Sequence, residues 1–195
     1  MSGHGHGHGH GHAAVYEGGY TRLQINRMGL WFFIISEAFM FLALHFYRFL
    51  ALGTYKPEGV NVLLGLFLTA VLLTSSFFAG QAEKAIARGD QRGLERNLLI
   101  TIALGIFFVF LVAYEWSVAF AHFPPSTPYG SIFFLTTGTH VLHLISGVVI
   151  LALVYLAARR GAFSAESHWG VTAGVLYWHF VDVVWLSVFL SLYVL

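Results

Sequence analysis

Tyr177-Trp178-His179-Phe180-Val181-Asp182-Val183-Val184-Trp185 decides how this chain folds. It sets a histidine, an aspartate and two tryptophans inside an otherwise apolar run. On a helix His179 and Asp182, three residues apart, share a face. An unpaired charge in hydrocarbon costs at least a few kcal/mol, so such a pair faces protein or water. The run therefore demands other helices around it.

The rest of the chain supplies them. Of its 195 residues, 57% are hydrophobic and only 10% are charged, against roughly 25% charged in ordinary soluble domains. Five apolar runs reach the roughly 20 residues needed to cross a bilayer, at 29–52, 60–82, 97–121, 130–158 and 170–195. Glycines and prolines punctuate the turns between them. The expected fold is all-α, an integral membrane bundle of five transmembrane helices over 29–195. A polar tail rich in His and Gly precedes it over 1–28. The first run starts late and has no small-residue cleavage site, so it is not read as a signal peptide. There is no internal repeat.

Lysines and arginines concentrate in alternate loops. Arg22 and Arg27 in the tail, Lys84, Arg88, Arg92 and Arg96 in the second loop, and Arg159 and Arg160 in the fourth make eight of the ten basic residues. The positive-inside rule then predicts a cytoplasmic N-terminus and an external C-terminus. A net charge of +1 and the absence of any basic run give no footprint for nucleic acid. Zero cysteines exclude disulfides, thiolate metal sites and iron–sulfur clusters. No HExxH, phosphate loop or GxSxG occurs.

His4, His6, His8, His10 and His12 alternate with glycine in the tail. Such imidazoles can hold zinc, copper or nickel weakly; a solvated tail or an affinity tag is the simpler reading. Inside the spans, ionisable residues are few. At ~1.5 Å per residue, Glu37, His143 and His179 fall in one layer of the membrane, with His140 and Asp182 about a turn nearer the middle. The spacing suggests one connected polar network, either a proton route, a haem site between opposed histidines, or hydrogen-bonded glue between spans. Glu115 and Arg48 fall near the outer interface, where Arg48 is expected to snorkel. Trp31, Trp116 and Trp169 lie near span ends, as belt aromatics do.

Three ordered motifs carry a resemblance. They are Gly29-Leu30-Trp31-Phe32-Phe33-Ile34-Ile35-Ser36-Glu37, then Tyr129–Phe134 with Thr137–His143, and the closing Tyr177–Trp185. Together they make residues 28–195 resemble subunit III of the haem–copper terminal oxidases, in a short five-span form that lacks the first two of seven spans. The resemblance implies a non-redox subunit of a respiratory oxidase, without haem or copper of its own, in a bacterial cytoplasmic membrane. It implies packing against the catalytic subunit I and other oxidase subunits, which would hold the haem and copper. It also implies bound phospholipid and support of proton uptake. Glu37 matches the family's carbodiimide-reactive glutamate. His140, His143, His179 and Asp182 match its buried polar set, and Glu115 a further glutamate. The missing spans form one wall of the family's lipid cleft. Val141 stands where the family often has glycine between its paired histidines, and its branched side chain is expected to hold neighbouring helices apart. Cytochrome c is the expected donor. Alternatives are a quinol oxidase, a nitric-oxide-reducing relative, a membrane b-haem protein and an independent proton transporter.

Overall fold

A computed structural model describes residues 19–195. It contains five long helices: α1 (Arg22–Leu52), α2 (Val62–Ala87), α3 (Gln91–His122), α4 (Pro128–Arg159) and α5 (Trp169–Phe189), the last continued by a π-helical turn, Leu190–Val194. All five are long and apolar enough to cross a membrane.

The helices run past the apolar stretches into polar sequence. α1 begins at Arg22, ahead of the boundary expected at residue 29, because Thr21 and Gln24 form a reciprocal capping box. α3 begins at Gln91, where Asp90 accepts from the Gly93 amide at 2.9 Å. Thr127 caps α4 and Pro128 fills its first turn. A helix of 31 residues is ~46 Å long, well beyond a hydrocarbon core of about 30 Å, so hydropathy records only its middle. The tight turns after α2 and α4 each use a glycine at positive φ, Gly89 (77°) and Gly161 (70°).

Helices α2 to α5 form a bundle, and α1 lies against α4 and α5. α5 is the most buried helix and α1 the most exposed. Trp178 explains the tightness of the centre. It is fully buried. A Cβ on Gly105 of α3 would lie 2.6 Å from its ring, and one on Gly147 of α4 2.9 Å from it. Two glycines thus make a slot for one indole. Val141 is partly buried against this core. Arg27 over the Trp169 ring, 5.5 Å from its centroid, joins the starts of α1 and α5, and Gln91 donating to the Ala158 carbonyl joins the start of α3 to the end of α4. These ends carry the basic residues.

Candidate functional site

The polar residues placed in neighbouring layers by helical rise occupy separate seams of the bundle. Depth along a helix leaves the direction of a side chain open, and direction divides them.

On the α1–α4 seam, Glu37 Oε2 lies 3.0 Å from His143 Nε2. The other ring nitrogen, Nδ1, is 2.7 Å from the Thr139 carbonyl. A carbonyl can only accept, so Nδ1 carries a proton and Nε2 is the atom that shares one with Glu37. The Phe41 ring stands edge-on to the imidazole. Tyr177 extends the group, with its hydroxyl 2.7 Å from Ser146 Oγ and donating to the His143 carbonyl at 3.4 Å. Glu37, His143, Ser146 and Tyr177 line a shallow groove on the flank of the molecule. The pair is only partly covered, with side-chain exposures of 24% for Glu37 and 17% for His143.

His140 is one turn away on α4 and fully buried. Its ring sits between Phe108 and Trp185, with centroids 5.9 and 5.1 Å distant. Neither ring nitrogen has a hydrogen-bond partner.

The α2–α5 seam holds His179 and Asp182. His179 Nδ1 is 2.6 Å from Ser76 Oγ. Asp182 is buried, and neither carboxyl oxygen makes a direct hydrogen bond. Indole donors flank them: Trp178 Nε1 to Ser75 Oγ and Trp185 Nε1 to Thr69 Oγ1, both 3.0 Å. Ser76 and its α2 neighbours escaped the sequence reading. The spacing Ser76, Gly80, Glu83 was a signal, since residues four and three apart share a helix face.

Away from the basic end, Arg48 does not snorkel. It is buried, and its guanidinium donates to three carbonyls: Ser191 (3.0 Å), Tyr55 (3.1 Å) and Gly53. Lys56 Nζ donates to the Tyr193 carbonyl at 3.0 Å and the Tyr129 hydroxyl to that of Leu192 at 2.6 Å. Three consecutive carbonyls of the terminal π turn are thereby capped by side chains, two of them cationic. A helix C-terminus leaves such carbonyls without partners and favours positive charge. Glu115, also buried, accepts from the Tyr193 hydroxyl at 2.8 Å. Hydropathy could not reveal this, because it does not show that the last turn of α5 ends beside Arg48 of α1. Trp116, expected in the interface belt, is half-buried and donates to Thr137 Oγ1 at 3.2 Å. His4, His6, His8, His10 and His12 lie outside the described residues.

The family model for cytochrome c oxidase subunit III matches residues 8–195. The chain is 38% identical over 183 residues to cytochrome c oxidase subunit 3 of Gadus morhua, 39% over 183 residues to that of Tetraodon nigroviridis and 37% over 180 residues to that of Dugong dugon. Each alignment covers 86% of this chain and 68% of the relative. These relatives are animal proteins and do not bear on the bacterial setting expected from the sequence.

Proposed function

The chain belongs to the cytochrome c oxidase subunit III family, and on that premise we propose that it is the non-redox subunit of a respiratory haem–copper oxidase. It packs against the catalytic subunit, steadies it and supports its proton uptake. The observation that carries this reading is the match over residues 8–195, joined to five helices of membrane-spanning length. Haem and copper reside in partner subunits and cytochrome c is the donor. The membrane is the bacterial cytoplasmic membrane, with the basic ends of the helices toward the cytoplasm.

Two features of the surface support a role inside an assembly. The exposed face of α1 is studded with large apolar side chains, among them Phe32, Phe39, Leu42, Phe46 and Leu50, which suit lipid or partner helices. Between α1 and α5 runs an apolar groove of about 380 Å³, lined by Phe41, Leu42, Phe180 and Val183. We assign it to a phospholipid acyl chain. The proposed support of proton uptake is electrostatic and geometric: a subunit seated beside an uptake surface preserves the local field that feeds it.

The test is isolation of the assembly through this chain in mild detergent, followed by identification of its partners and an optical spectrum. A haem-bearing catalytic subunit of the oxidase class should co-purify. Recovery of the chain alone, or with its own haem absorption band, would refute the reading.

A further inference from the structure

A file of polar groups at helical register runs along the α2–α5 seam from the basic end of the bundle inward. Glu83 is half-buried in the last turns of α2, beside Lys84 and Arg88, so it stands where water reaches. It lies seven residues on from Ser76, on the face of α2 that meets His179. Between them α2 presents Gly80. A Cβ there would come no nearer than 4.0 Å to His179 Nε2, so the glycine leaves the approach to that nitrogen open. The opposite ring nitrogen touches Ser76 Oγ at 2.6 Å. Asp182, three residues on along α5, shares the face of His179 that meets α2, and its buried oxygens have no direct partner. Asp182 lies thirteen residues into α5, ~20 Å from its start.

We propose that Asp182 is a proton-binding site filled from the basic end through Glu83, His179 and Ser76. A proton from interfacial water near Glu83 adds to His179 Nε2. The Nδ1 proton passes to Ser76 Oγ, and the Ser76 hydroxyl proton passes to the Asp182 carboxylate. The net change is one proton moved from water to Asp182, and reversal of the same steps empties it. The last transfer, from Ser76 to Asp182, requires a rotation of the Asp182 side chain or an intervening water, because Asp182 makes no direct hydrogen bond. An unpartnered buried carboxyl is far less costly neutral than charged, which gives the site its reason to take a proton.

The file ends at Asp182. Its buried neighbours along α5 are Val181, Val184 and Trp185, whose indole is already committed to Thr69. The other ionisable side chains near this depth lie on other seams: His140 is wedged between Phe108 and Trp185, Glu37 and His143 pair between α1 and α4, Tyr177 bonds Ser146, and His45 bonds the Phe41 carbonyl and lines the α1–α5 groove. α3 has no ionisable residue between Arg96 and Tyr114. The site therefore stores a proton rather than passing it across the membrane.

The experiment is infrared spectroscopy of the full chain, purified with its partners and labelled with ¹³C-aspartate, during exchange from water to deuterium oxide. A protonated aspartic acid band should be present in the wild type and absent in Asp182→Asn. His179→Gln, Ser76→Ala and Gly80→Leu should each slow its deuteration at least about tenfold, the effect of losing roughly one hydrogen bond from the transfer path. Gly80→Ala should leave the rate unchanged. The proposal falls if Asp182→Asn removes no band, or if His179→Gln and Gly80→Leu exchange at the wild-type rate. Should Asp182→Asn fail to assemble, the isotope label and the other variants still decide. This readout is independent of oxidase turnover, so its failure and failure of the subunit assignment are separate results.

Discussion

Replacing Arg48 by Met should loosen the C-terminal turn together with the turn that follows α1. The substitution keeps the buried volume and removes donors to three carbonyls, those of Gly53, Tyr55 and Ser191. Hydrogen bonds within membrane proteins average about 0.6 kcal/mol in double-mutant cycles, which sets a floor near 2 kcal/mol for three. Buried acceptors left unsatisfied cost about 1–3 kcal/mol each. Water at the helix end relieves part of this, so about 6 kcal/mol is a working ceiling. Only the Ser191 bond reaches the C-terminal turn, so its share, about 0.6–3 kcal/mol, should lower amide protection over 189–195 by about threefold to about 100-fold at 1.4 kcal/mol per tenfold, while the rest loosens the turn at Gly53 and Tyr55. Hydrogen exchange with mass spectrometry, on the chain purified with its partners, reads this directly. Arg48→Lys should fall between, because a compact ammonium cannot span three carbonyls as the planar guanidinium does. Lys56→Met, which removes the one bond to Tyr193, should give a loss of similar size at the same amides and leave the Gly53–Tyr55 turn intact. Unchanged protection in Arg48→Met would refute the capping role.

Other outcomes follow from the same geometry. Gly105→Ala and Gly147→Ala should each destabilise by about 1–3 kcal/mol through overpacking against the fixed Trp178 ring, whereas Gly29→Ala, with nothing within 4 Å, should be neutral; denaturant midpoints compare them. Glu37 opens on the lateral groove beside His143, so a hydrophobic carbodiimide should label it and Glu37→Gln should block labelling while the chain still assembles. Equal labelling of both proteins would count against that site. A single cysteine placed in the 122–130 loop should react with an impermeant reagent in intact cells, and reaction only after permeabilisation would reverse the orientation.

The five spans were legible because hydrocarbon selects for apolar runs, and a run of about 20 residues matches the thickness of a bilayer core. Their ends were not, since Thr21, Asp90 and Thr127 start helices in polar sequence that hydropathy discounts. Helical rise placed Glu37 and His143 at one depth, and they meet at 3.0 Å. The same arithmetic put His179 in their layer, but its side chain points to α2 and meets Ser76. Azimuth is fixed by packing around Trp178 and cannot be read from depth. Arg48 illustrates the other gap. A cation eleven residues beyond Glu37 looks interfacial until the turn after α1 and the last turn of α5 offer it carbonyls.

The central claim is that this chain serves an oxidase without carrying its chemistry. The most direct measurement is oxygen consumption by the complex over many turnovers, with and without the chain, from neutral to alkaline pH. Without the chain, the initial rate should stay largely intact and the haem spectrum unchanged, while proton delivery weakens and inactivation during turnover quickens. Immediate loss of activity together with a haem signal that leaves with the chain would contradict the claim.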